Sequence, residues 1–159
     1  MSVRQSVVTL VVRIAAVWAA AVVPGAAQET VSISVPMAVD FQVSDVSRST
    51  SGTPDVTTIN FSDMTPGKAL RVSVRADAAA FTPPSGPGIP ASNVAWNSLG
   101  GLGSDGTLSS SAYTLVYQSN PVATSGYIDL QWTLAAPGSG IRAGSHGLTI
   151  RWKLESITP

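Results

Sequence analysis

The stretch GYIDLQWTLAAPGSGIRAGSHGLTIRWKLESI, residues 126–157, decides the fold. Its first run places Ile128, Leu130, Trp132 and Leu134 in alternation with Asp129, Gln131 and Thr133. Its second places Leu148, Ile150, Trp152 and Leu154 in alternation with Thr149, Arg151, Lys153 and Glu155. Period-two alternation sets one face on a core and the other in water, as half-buried antiparallel strands require. Each run carries a Trp followed two residues on by Leu, so Trp132 and Trp152 are the predicted core anchors. The linker APGSGIRAGS is turn and loop chemistry.

Working outward, the same logic holds for most of the 159 residues, one domain by size. Hydrophobic residues make up 44% and charged residues 11%, and 14 Gly and 11 Pro punctuate short runs, a strand-and-turn composition. Formal net charge is +0, which gives no footprint for nucleic acid. Cysteine is absent, so no disulfide, Cys-ligated metal or thiol nucleophile is available. The core alone must hold the domain, and a chain of this size buries roughly two thirds of its unfolded surface.

Residues 1–27 read as a secretory leader: Arg4 and Arg13, the apolar IAAVWAAAVV from Ile14 to Val23, then Pro24-Gly25-Ala26-Ala27 with cleavage after Ala27. A signal-peptide helix is expected there, then a β-domain over 28–159 with no membrane span. Arg13 interrupts the longer run from Val7, leaving about half of the ~20 apolar residues a spanning helix needs. The chain resumes as TVSISVPMAVDFQVSDV, apolar at every odd position from Val31 to Val43. Pro36 falls on the outward parity, predicting an edge strand or a switch between sheets. Such a strand is also suited to insertion into a neighbouring subunit.

Residues 47–58 read as a polar loop, followed by a strand with Ile59 and Phe61 inward and a turn at DMTPGK. ALRVSVRA is a strand with Leu70, Val72 and Val74 inward. From Ala78 to Gly106 the alternation dissolves into Pro- and Gly-rich segments, with one short strand at Asn93–Trp96; a long irregular stretch is often functional. Ala112–Gln118 restores a strand, with Tyr113, Leu115 and Tyr117 predicted inward. The sum is an all-β, antiparallel β-sandwich of immunoglobulin-like or Greek-key type with about eight strands.

Little in the chain suits catalysis. His146 is the single histidine, in the turn AGSHG, and reads as a surface residue; no G-x-S-x-G elbow accompanies it. The aspartates are scattered singly, and Asp105 in GSDG lacks the ligand run of a calcium loop. No catalytic residue, cofactor or metal site is expected. Asn60-Phe61-Ser62 is a glycosylation sequon, relevant only in a host that uses it.

Charge placement stands out instead. Apart from Arg48, the basic residues after position 27 fall in two segments, Lys68, Arg71, Arg75 and Arg142, Arg151, Lys153. If their strands share a sheet, Arg71, Arg75, Arg151 and Lys153 form an outward stripe able to meet an anionic polymer. The alternative is a solvated face that discourages edge pairing.

The triplets Trp132-Thr133-Leu134 and Trp152-Lys153-Leu154 resemble the double Trp-x-Leu signature of WxL-type bacterial surface domains. That resemblance implies a secreted β-sandwich held non-covalently on the cell wall, with the tryptophan motifs implicated in attachment. The leader, alternating N-terminal strand and Ser/Thr/Gly-rich body are also similar to fimbrial and coat-type subunits. The expected role is therefore structural or adhesive, at the cell surface or in the extracellular space. The expected partner is a cell-wall polymer or another copy of the chain.

Overall fold

The computed structural model describes residues 9–13, 30–81 and 86–159. They form ten strands: β1 (Thr9–Arg13), β2 (Thr30–Ser34), β3 (Ala38–Val43), β4 (Thr50–Ser62), β5 (Ala69–Ala76), β6 (Val94–Leu99), β7 (Gly106–Thr107), β8 (Thr114–Gln118), β9 (Gly126–Leu134) and β10 (Gly144–Ile157). One 3-10 turn, Ala91–Asn93, precedes β6, and no α-helix occurs among the described residues. Most of the leader expected at 1–27 lies outside the described residues. Its Thr9–Arg13 portion is an extended strand antiparallel to β2 rather than part of a helix.

All pairings are antiparallel, in the order β7-β6-β9-β4-β3-β10-β5-β8, with β2 beside β4. Two layers result. β2, β4, β9, β6 and β7 make one; β3, β10, β5 and β8 make the other. They join where Phe41 and Asp40 of β3 pair with Gly52 and Thr53 of β4. At the far side the layers meet again, with Ser104 N–H donating to the Val116 carbonyl at 2.7 Å and Thr114 Oγ1 to the Thr107 carbonyl at 3.4 Å. The result is an antiparallel β-sandwich curled almost to a barrel. Its chain crosses repeatedly between layers in the Greek-key manner.

The alternation in β9 and β10 does what it predicts. Ile128, Leu130, Trp132 and Leu134 are buried, as are Leu148 and Ile150. Trp152 and Leu154 point inward but remain half-buried. β3 pairs β10 only as far as Thr149, so beyond it β10 has β5 alone beside it. Pro36 acts as the switch: β2 pairs β4 before it and β3 pairs β10 after it. The run is built into its own core, with Ile33, Val35, Val39, Phe41 and Val43 all buried.

Three expectations are corrected. The loop expected at 47–58 is mostly strand, because the register shift between Ser51 and Val56 holds Pro54 in a bulge opposite Trp132. A bulge is where a strand tolerates proline. At that crossing Gly52 allows a close approach, since a Cβ there would lie 3.0 Å from the Trp132 Cβ. β6 runs to Leu99, beyond the short strand expected, with Val94 and Trp96 facing the core.

The third correction concerns β8. Tyr113 and Leu115 face outward and Val116 is fully buried, while Tyr117 keeps its expected inward lean. The register between β5 and β8 slips between Val72 and Ser73, pairing Val72 with Tyr117 and Ser73 with Leu115. Val116 is thus the inserted residue of a bulge, and an inserted residue inverts the facing of everything before it.

Candidate functional site

β10 and β5 run antiparallel with Arg151 opposite Arg75, Lys153 opposite Ser73 and Glu155 opposite Arg71. The inward parity of these strands is taken by Ile150, Val72 and Val74, so the basic residues lie on the outer face. The structure therefore brings Arg71, Arg75, Arg151 and Lys153 onto one sheet surface. Lys68 lies at the β5 end, donating from Nζ to Thr158 Oγ1 at 2.6 Å. Arg142 is in the loop before β10, apart from the stripe.

β8 completes this surface. Tyr113 and Leu115, placed outward by the bulge, stand beside the basic row, and Arg75 lies over the Tyr113 ring, 5.1 Å from its centroid. Arg71, Ser73, Tyr113, Leu115, Lys153 and Glu155 line a shallow groove of about 320 Å³. Its floor is Ser73, an outward residue nonetheless buried under longer side chains. The sequence signal for Tyr113 and Leu115 was present but ambiguous, because Leu115-Val116-Tyr117 are all apolar and either parity fits.

Each cation has a local contact, but only Arg151 and Lys153 have acidic partners. Arg151 is ion-paired with Asp77, whose hydrogen bond and charge hold its guanidinium protonated to still higher pH than an ordinary arginine. Lys153 Nζ is 2.8 Å from Glu155 Oε1. Arg71 has only a neutral acceptor, donating to Gln118 Oε1 at 3.2 and 3.3 Å. Arg75 donates weakly to the Ser110 carbonyl at 3.4 Å, and its Nε is buried with no partner among the described residues. Four cations thus face two carboxylates, Asp77 and Glu155, and the surface keeps a positive excess.

The anchoring tryptophans lie elsewhere. Trp132 is 1% exposed, sandwiched between Trp96 and Trp152 with ring centroids 5.5 and 6.5 Å away. Trp152 donates its Nε1–H to the Pro36 carbonyl at 2.6 Å. Both are packing residues, and the Trp132 ring is out of reach of any ligand at the surface.

Comparison with protein-family models, curated proteins and solved structures finds no match.

His146 corrects the reading of a surface histidine. It is fully buried on the inward parity of β10, opposite Phe41. Its Nε2–H donates to the Arg142 carbonyl at 2.9 Å, leaving Nδ1 buried without a partner among the described residues. Ser145 beside it points outward, as neighbours on a strand do. Asp105 caps its own turn, accepting the Ser98 N–H at 2.7 Å. Among the described residues no group of three or more His, Asp or Glu side chains is placed to hold a metal. No helix among them is long and apolar enough to cross a membrane.

Proposed function

We propose that this chain is a secreted, non-enzymatic β-sandwich of the bacterial cell surface or envelope. It attaches to an anionic wall polymer through the outer face of β5, β10 and β8. The observation that carries the reading is the pair Arg75–Arg151. The two occupy facing positions on neighbouring strands, where like charges are unfavourable; Asp77 offsets Arg151, whereas Arg75 has no acidic partner among the described residues. A surface with cations in excess of acids is suited to a ligand that supplies the missing negative charge.

The groove adds shape to the charge. Arg71 and Lys153 line it with Tyr113, whose ring is partly exposed beside Arg75. The WxL resemblance and the leader reading support the same location, although the tryptophans here serve the core. Attachment in this reading comes from the basic face.

The test is co-sedimentation of the protein, expressed through its own leader, with purified cell-wall sacculi. Binding is expected at low ionic strength, weakening with salt and falling several-fold in Arg71→Gln/Lys153→Gln. Pelleting that is absent, or unchanged in this variant, would refute attachment through the face.

A further inference from the structure

The outer surface of β5, β10 and β8 carries more cations than acids, and that of β4, β9 and β6 carries acids alone. β2, β4, β6, β7 and β9 contain no Lys or Arg. The outer surface of β4, β9 and β6 presents Asp55 and Asp129 instead. Asp129 pairs with Thr58 on one side and Leu99 on the other, accepting from Thr58 Oγ1 at 2.5 Å. Asp55 accepts from Gln131 Nε2 at 3.2 Å. Around these carboxylates lie Val56, Leu99 and Tyr127, each exposed, Tyr127 by 58%. The opposite face has the reversed excess, four cations against Asp77 and Glu155, with Tyr113 41% exposed and Leu115 39% exposed.

We propose that the acidic β4–β9–β6 face of one copy docks on the basic β5–β10–β8 face of the next. The occupant of the basic face in the free protein is then a second copy of this chain. Both faces carry charged residues flanked by exposed apolar side chains, and their signs complement. Because the two contact surfaces are different, the contact is heterologous and does not close on itself. It continues into a row of sandwiches rather than stopping at a dimer. The attraction is between exposed charges, which contribute little each and which salt screens. Association is accordingly weak and sensitive to salt.

This inference does not rest on wall attachment, but the two share the basic face. An anionic polymer and the acidic face of a neighbour compete for it, so binding to wall would release single copies from the row. This contact does not use the N-terminal strand, whose β2 and β3 pair within their own copy.

Sedimentation velocity of the purified protein tests the proposal. At about 0.01 M salt, where the screening length is about 30 Å, the weight-average mass should climb with concentration without a plateau at the dimer. At about 1 M salt it should return to the monomer. Asp55→Asn/Asp129→Asn should be monomeric at low salt, and so should Arg71→Gln/Lys153→Gln. Mixing the two variants should give a one-to-one dimer and nothing longer, because one intact face remains on each. A monomer at low salt, association that survives Asp55→Asn/Asp129→Asn, or failure of the mixed variants to pair would each overturn it. The acidic-face variant should still pellet with sacculi as the unmodified protein does. Loss of wall binding with self-association intact would therefore sink only the attachment reading.

Discussion

Trp96 and Trp132 face each other directly across β6 and β9, their ring centroids 5.5 Å apart and each side chain 1% exposed. The pair fills the centre of one layer and reaches Trp152 of the other. Trp132→Ala should cost about 3–5 kcal/mol in urea unfolding, the range for deleting a large buried aromatic. The double change Trp96→Ala/Trp132→Ala should cost less than the sum of the single ones, since the same contact is lost in each. Additive losses would mean that the rings are energetically independent.

Gly106 is the counterpart of that packing. A Cβ at this position would lie 2.5 Å from the Trp96 ring. The ring cannot swing away freely, because its Nε1–H donates to the Ser104 carbonyl at 2.8 Å. Gly106→Ala should destabilise by about 1–3 kcal/mol, the usual cost of overpacking. An unchanged midpoint would show that the β6–β7 turn gives way easily.

His146 is held as a core residue. His146→Ala should cost about 2 kcal/mol or more, as other large-to-small core changes do. His146→Leu should recover much of that, because it refills the space and removes a buried nitrogen that has no partner. A leucine variant as unstable as the alanine one would show that the bond to the Arg142 carbonyl outweighs filling.

Asp45 closes the turn after β3. The Ser47 hydroxyl donates to it at 2.6 Å and the Ser47 N–H at 2.9 Å, and these bonds hold its carboxyl below the usual aspartate range. A carboxylate whose folded-state pKa is depressed stabilises the fold above the unfolded pKa. That contribution is lost as pH falls through the folded value. NMR titration should find Asp45 still ionised where free aspartate is half protonated, and Ser47→Ala should move its midpoint upward. No movement in the variant would assign the shift to another group.

Arg151 separates stability from binding. Its partner Asp77 is a surface ion pair, and such pairs contribute about 0–1 kcal/mol. Removing Arg151 also takes away a like charge from the position opposite Arg75. Arg151→Thr should therefore leave the unfolding midpoint within about 0.5 kcal/mol, as surface substitutions usually do. Salt-sensitive pelleting with sacculi should fall. A destabilised variant with unchanged pelleting would make the arginine a structural residue.

Period-two patterning is a local property, and the sequence alone determined what depends on it. The inward faces of β9 and β10, the burial of Trp132 and the all-antiparallel class all follow from alternation and turn chemistry within a few residues. The site was legible only in part. Arg71, Arg75, Arg151 and Lys153 could be placed on outward parities, but nothing local says that β5 and β10 are neighbours. That pairing joins segments far apart in the chain, and it alone sets Arg75 opposite Arg151. The same holds wherever a strand departs from strict alternation. Pro54 remains in β4 because a bulge opposite Trp132 absorbs it, and Tyr113 and Leu115 reach the surface because Val116 is inserted against β5. His146 is buried because β10 begins earlier than its glycines suggest and pairs with Phe41. One residue added to a strand exchanges inside for outside, and whether it is added is decided by the partner strand's register.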